Sequence, residues 1–227
     1  MRKTIAIDGS AASGKSTLGS ALAEKLNYLY LDTGVMYRSI TWATLNAKID
    51  VTAEAAVSHL AETFKLELLP PSAEGSHQAT VLVGDQDVTR LIRRPEIDAN
   101  VAQVSSYSRV RQAMTARQRN IAAMGPVVMV GRDIGTVVLP NADLKIFVSA
   151  SLEVRARRRY EECLKRGEMV AFENVLAAMA KRDRQDREKP ISPMVPAQDA
   201  VIINTDEMTG EEVLQKVEDL VMARCVV

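Results

Sequence analysis

The stretch Gly9-Ser10-Ala11-Ala12-Ser13-Gly14-Lys15-Ser16 decides how this chain is read. It fits the spacing G-x-x-x-x-G-K-[ST], which average residue frequencies produce by chance in about one chain in a hundred of this length. The chemistry needs these residue types. Glycines let the backbone curl until successive N–H groups converge on phosphate oxygens, and a helix starting directly behind them adds its positive end. Lys15 is placed to reach the β- and γ-phosphates of a nucleoside triphosphate, and the Ser16 hydroxyl to hold Mg²⁺. The expected triphosphate-binding set is therefore Gly9, Ser10, Ala11, Ala12, Ser13, Gly14, Lys15, Ser16 and Thr17.

The flanks give this loop its required context. Thr4 to Ile7 is a short apolar run stopped by Asp8-Gly9, as a buried strand would be. Leu18, Leu22 and Leu26 recur at helical spacing across Lys15 to Leu26. Further strands are expected at Tyr28 to Leu31 (closed by Asp32-Thr33-Gly34), at Val127 to Val130, at Leu144 to Val148 and at Ala200 to Ile203. Helices are expected around Val57 to Phe64, over Val110 to Ile121, from a Ser151 cap to about Arg166, over Glu173 to about Arg182, and along Val213 to Val221. This alternation reads as a parallel α/β fold. Leu66 to Leu69, Ala79 to Val83 and Asp87-Val88, with turns at Pro70-Pro71 and Gly84-Asp85, interrupt it as a small antiparallel insert. Arg184 to Pro196 is polar with three prolines and reads as a mobile surface loop.

Composition narrows the class. The 227 residues are 47% hydrophobic, enough to bury a core without disulfides or metals. Lys+Arg and Asp+Glu both number 29, so no basic field advertises a nucleic-acid partner and any anion site must come from local clusters. Cys163 and Cys225 have no metal-ligand spacing and are expected to be reduced thiols. There is no signal-peptide pattern and no apolar run of about 20 residues, so a cytoplasmic protein is expected.

Among phosphate-loop proteins, a GTPase would carry N-K-x-D, and Asn46-Ala47-Lys48 does not fit. A motor or transporter ATPase would end an apolar strand in a metal-binding Asp, but Gly131-Arg132 separate Val127–Val130 from Asp133. A small-molecule kinase remains. Two phosphorylated substrates need permanently charged, planar guanidinium groups, and the candidates are Arg38, Arg111, Arg132, the run Arg155-Arg157-Arg158-Arg159, Arg182, Arg184 and Arg187. On a helix Arg155, Arg158 and Arg159 share a face, which is either an anion site or a solvated face paired with Glu161 and Glu162. His59 and His77 read as surface residues. A phosphate acceptor is already ionised and needs no general base, whereas an alcohol acceptor would need a carboxylate such as Asp32 or Asp133.

Several segments together resemble the bacterial cytidylate kinase family, nearly end to end. Tyr30-Leu31-Asp32-Thr33-Gly34-Val35-Met36-Tyr37-Arg38 is similar to its L-D-[ST]-G-x-x-Y-R. Asp87-Val88-Thr89 with Ile92-Arg93 resembles its D-V-[ST]-x-x-I-R, and Arg109-Val110-Arg111 with Gln118-Arg119 its V-R-x-x-L-x-x-x-Q-R. Gly131-Arg132-Asp133-Ile134-Gly135-Thr136-Val137-Val138 is close to its G-R-D-x-G-T-V-V, and Arg182-Asp183 with Asp186 to its lid. The resemblance implies a nucleoside monophosphate kinase fold: a parallel sheet flanked by helices, a core of about 1–35, 112–181 and 198–227, an acceptor-binding insert of about 36–111 and a lid of about 182–197. It also implies residue roles. Lys15, Arg132, Arg182 and Arg187 would serve transfer. Arg38, Arg111, Arg132, Asp133, Arg182, Asp186 and Lys189 would hold the acceptor, with Arg111 and Asp133 at the base, Arg38 and Arg132 at its phosphate, and Arg182 and Asp186 at the ribose. An Asp facing a base edge accepts from the exocyclic amine that cytosine has and uracil lacks.

Ala102 stands where the family often has serine (with Ser105 or Ser106 as substitutes), Ser108 where it has proline, Lys189 where it has arginine, and Asn204-Thr205-Asp206 where it has I-D-T. The first and third bear on acceptor affinity and on cytidine-over-uridine preference. The expected reaction is phosphorylation of CMP and dCMP by ATP with Mg²⁺, by a monomer without membrane or nucleic-acid partners. The alternatives are a kinase of UMP or AMP, and an RNA-associated ATP-binding module using the Arg155–Arg159 helix. Three Phe, five Tyr and one Trp provide few stacking platforms for the latter.

Overall fold

A computed structural model describes residues 3–69, 80–188 and 191–225. Pro70-Pro71, Ser72 to Gln78 with His77, Ala79 and Lys189 lie outside the described residues. The chain forms two compact units, residues 1–31 with 124–227, and residues 32–123.

The first unit is built on a five-stranded sheet in the order β2-β6-β1-β7-β8: β1 (Thr4–Gly9), β2 (Leu29–Asp32), β6 (Val127–Gly131), β7 (Leu144–Ser149) and β8 (Val201–Asn204). β1 runs parallel to both β6 and β7, and β7 parallel to β8. β6 is buried along its whole length and β1 nearly so, which is why their sequences are continuous apolar runs rather than alternating ones. α1 (Lys15–Leu26) lies on β6 and against α8 (Gly210–Cys225). Ile5, Ile7, Leu18, Leu22, Val128, Val130, Ile146, Val213 and Val217 form the shared core. α6 (Leu152–Lys165) and α7 (Phe172–Arg187) pack together, and Ser151 caps α6 by accepting from the Val154 N–H.

The second unit surrounds α2 (Thr33–Asn46) with α3 (Glu54–Thr63), α4 (Pro95–Val104), α5 (Ser108–Ala122) and a three-stranded antiparallel sheet of β3 (Leu66–Leu69), β4 (Thr80–Val83) and β5 (Gln86–Asp87). The expected small antiparallel insert is present, flanked by more helix than the sequence suggested.

Three expectations are corrected. β2 closes at Asp32 as expected, but a helix follows directly that the sequence reading did not include: the Asp32 side chain accepts from the Gly34 N–H and caps α2. α2 escapes periodicity because Ser39, Thr41 and Thr44 take buried positions, each hydroxyl satisfied by the carbonyl four residues back. α4 also went unread, although Pro95 at its start with Glu96 and Asp98 in the first turn is a helix-opening signature. The supposed loop from Arg184 is helical as far as Arg187. The polar residues at the end of α7 find partners inside the unit, so a composition that reads as solvated folds as helix.

Candidate active site

The phosphate loop leaves β1 at Gly9, whose φ of +154° places the missing Cβ where it would run into the Val148 carbonyl oxygen. Ala12 (φ 58°) and Gly14 (φ 91°) complete the curl in left-handed backbone. Gly14 stands at the start of α1 and supplies no side-chain cap, and the positive end of the helix behind the loop favours an anion. Ser13 is fully buried and its hydroxyl has no hydrogen-bond partner. The Lys15 ammonium donates to the Ser10 carbonyl at 2.9 Å, which folds the side chain back over the loop it is meant to serve. Ser16 opens α1 beside it, and Tyr30 donates to the Ser16 carbonyl at 3.2 Å.

At the far end of β6 the chain turns sharply through Arg132 and Asp133 into a single π-helical turn, Ile134–Val138. Arg132 pairs with the carboxylate of Asp186 on α7, and its Nη1 also lies 3.9 Å from the sulfur of Met194. The Met194 N–H donates to the Asp186 carbonyl at 2.8 Å, and the Ser10 hydroxyl lies 3.8 Å from the same sulfur. Met194 thus joins the loop, the β6 turn and α7, a role no sequence pattern announced. Arg132 and Asp186, both expected at the acceptor, are brought together; Asp133 is buried. Arg182 is half-buried and Arg187 exposed on α7.

The arginine run on α6 divides. Arg155 is buried and donates to the Ala150 carbonyl (2.9 Å), to the Ala11 carbonyl of the phosphate loop (3.4 Å) and to Asp183 of α7 (2.6 Å). Arg158 donates to the Thr205 carbonyl and hydroxyl at 2.7 and 3.1 Å, and the Thr205 hydroxyl reaches the Ser13 carbonyl at 3.4 Å. Two of the three arginines expected to share one face therefore bond inward and brace the loop from behind. Arg159 alone behaves as a solvated pair, with Glu162 at 3.2 Å, and Arg157 lies over the Phe172 ring. Such a helix does not offer a row of guanidinium groups to RNA.

In the second unit, Arg38 of α2 donates to the Ile92 carbonyl at 3.0 Å and pairs with Asp98 of α4. Arg111 is buried on α5, stacked 5.6 Å from the centre of the Tyr37 ring, and its Nη1 lies 3.5 Å from the Ser105 carbonyl. The Ser105 hydroxyl donates to the Ala102 carbonyl at 3.2 Å and that of Ser106 to Gln103 at 2.6 Å. His59 is exposed, as expected. Cys163 is a free, buried thiol. Among the described residues no helix is long and apolar enough to cross a membrane, and no cluster of His, Cys, Asp and Glu could hold a metal ion by itself. Asp8, Tyr37, Asp98, Asp183 and Met194 are the participants sequence reasoning missed. Asp8 stood out as a carboxylate near the end of an apolar strand, and Tyr37 and Asp183 lay inside the Y-R and R-D segments, while Met194 carried no signal.

The fold agrees with that of known proteins similar to the chain. A crystal structure of an uncharacterized protein from Eubacterium ventriosum aligns with 98% of this chain and 100% of its own at a TM-score of 0.51 and 12% identity, a likeness of fold alone. The cytidylate kinase of Ligilactobacillus salivarius is 45% identical over 220 residues, 97% of this chain and 96% of that protein. Cytidylate kinases of Chloroflexus aggregans (49% over 210 residues, 92% and 90%) and Bacillus subtilis (44% over 218, 96% of each) are similar in the same way. The family model for cytidylate kinase matches residues 5–223. With its phosphate loop, G-R-D turn and α7 arranged as above, the chain belongs to the cytidylate kinase family.

Proposed function

We propose that this protein transfers the γ-phosphoryl group of ATP to the phosphate of CMP and dCMP, giving ADP and CDP or dCDP. The observation that carries the reading is the phosphate loop at the C-terminal end of β1, with an uncapped helix N-terminus behind it and Lys15 poised across it, in a chain of this family. Gly9 to Thr17 hold the triphosphate in this reading, and Lys15 exchanges the Ser10 carbonyl for a β- or γ-phosphate oxygen. A Mg²⁺ ion fits the donor set present: it keeps most of its waters and takes few protein ligands, and the Ser16 hydroxyl is one such ligand at the right end of α1. Bound with the nucleotide, it would neutralise charge on the β- and γ-phosphates.

The acceptor phosphate is largely a dianion at pH 7, so attack needs alignment and screening rather than a base. Arg38 and Arg132 are assigned to that phosphate, each exchanging a carboxylate (Asp98 or Asp186) for it, while Asp186 turns to the ribose with Arg182. Arg111 and Asp133 are assigned to the cytosine edge, where Asp133 accepts from the exocyclic amine. Arg182 and Arg187 screen the transferring group, and Lys189 contributes charge without a bidentate fork. The division into a core, an insert of about 36–111 and a lid of about 182–197 belongs to the same reading, the lid excluding water that would compete as acceptor. So does a cytoplasmic monomer.

A coupled assay of ADP release over CMP, dCMP, UMP and AMP tests it. Cytidylates should be turned over fastest, and Asp133→Ala should lower CMP turnover far more than the residual turnover of UMP. No acceleration by CMP or dCMP would overturn the reading.

A further inference from the structure

We propose that Asp8 is a positioning residue for the acceptor: its carboxylate sets the course of the turn that presents Arg132 and Asp133. This rests on the assignment of those two residues to the acceptor. Asp8 is the next-to-last residue of β1, directly opposite Gly131 of β6 in the parallel register, and is almost wholly buried. Its Oδ1 accepts from the Ile134 N–H at 2.8 Å and its Oδ2 from the Gly135 N–H at 2.8 Å. Those are the first two N–H groups of the π-helical turn, which have no partner within the turn itself, so one side chain from the neighbouring strand supplies both acceptors.

The turn is held from the other side as well. A Cβ on Gly135 would press on Lys145 Cδ at 3.2 Å and touch Asp8 Oδ2 at 3.4 Å, so the turn is closely packed against both side chains. Lys145 is itself held, its ammonium donating to Asp199 at 2.8 Å. Arg132 and Asp133 immediately precede the clamped N–H groups, so any relaxation of the clamp moves them first. Asp8 also precedes Gly9, so the same strand end that starts the triphosphate loop fixes the acceptor turn. A one-ångström error in alignment between the two substrates is costly in a reaction that depends on positioning.

The charged groups that act on Asp8 are Asp133 at the end of β6, which opposes its ionisation, and Lys15 of α1, which favours it; Lys145 of β7 presents methylenes to the turn. Burial dominates these and pushes the carboxyl up to about 6, with the two N–H donors pulling the other way. Its protonation would replace one acceptor by a hydroxyl and loosen the clamp.

Steady-state kinetics of Asp8→Asn with CMP and ATP test the assignment. The amide keeps the shape but offers an NH₂ group to one of the two N–H donors. The expected result is an acceptor KM raised at least about tenfold, exceeding any rise in the ATP KM, because one donor loses its partner. The ratio of variant to wild-type acceptor KM should be large at pH 8 and shrink below about pH 6, where the wild-type clamp is protonated; a purely structural role would leave it flat. Wild-type values, equal rises for both substrates, or a flat ratio would overturn the proposal. Should Asp8→Asn fail to fold, Gly135→Ala perturbs the same turn with the carboxylate retained and must raise the acceptor KM selectively, an unchanged value being decisive against it. Arg132→Ala separates the two levels. If it raises the acceptor KM and Asp8→Asn does not, the clamp alone is wrong; if it does not, the acceptor reading falls and the clamp with it.

Discussion

At Gly9 a single backbone angle and a single carbonyl oxygen fix the start of the triphosphate loop. Gly9→Ala forces a methyl group against Val148 in backbone that L-residues rarely adopt. Overpacking of this kind costs about 1–3 kcal/mol before the strain is added. Urea unfolding should show that loss, and calorimetric titration with ATP should show weakened binding. Asp8 makes a second prediction, with the sign set by burial. Its carboxyl is raised from 3.8 to about 6, so the folded state holds a proton that the unfolded state has already released between those values. Stability from this group is therefore greatest at low pH and is lost as pH rises through the window. The gap corresponds to about 3 kcal/mol at about 1.4 kcal/mol per pH unit. Relative to Asp8→Asn, the wild type should lose about that much stability between pH 4 and pH 7, measured by denaturant unfolding at each pH.

Between elements, α6 and α7 share a buried ion pair, Arg155 with Asp183, whose side chains are 5% and 7% exposed, beside the ring contacts at Phe172. Arg155→Met leaves Asp183 charged and buried without its partner, a loss of about 3–5 kcal/mol, whereas Arg155→Met with Asp183→Leu should recover most of it. Chemical denaturation of the three proteins measures this. If both single and double variants lose the same stability, the contact matters as shape and not as a charge pair. The elements also explain what could be read from sequence. β1, α1, β6, β7 and α8 were legible because their apolar residues follow the period of the structure they form. α2 was not, because threonine and serine hydroxyls bonded to their own helix occupy buried positions that a periodicity reading expects to be apolar. The last turn of α7 was hidden for the opposite reason: its carboxylates pair with Arg155 and Arg132, residues far away in sequence.

Over the whole molecule, equal numbers of acidic and basic residues leave no global field, and function comes from where a few charges are gathered. The phosphate loop was legible as a local pattern because its geometry is encoded in consecutive residues. Arg132 with Asp186 was legible only through resemblance, since tertiary proximity leaves no periodic trace, and Asp98 beside Arg38 left none at all. Both arginines are neutralised by carboxylates, which keeps the partly buried cations paired. In the proposed reaction the curled loop beside Lys15 grips a triphosphate whose terminal group passes to a cytidylate. The most direct test is the CMP-dependent rate of ADP formation by Lys15→Ala at saturating ATP and CMP, with folding verified by circular dichroism. Removing one preorganised cation of this kind should slow turnover by about 10²-fold or more. Turnover within twofold of the wild type would contradict the account.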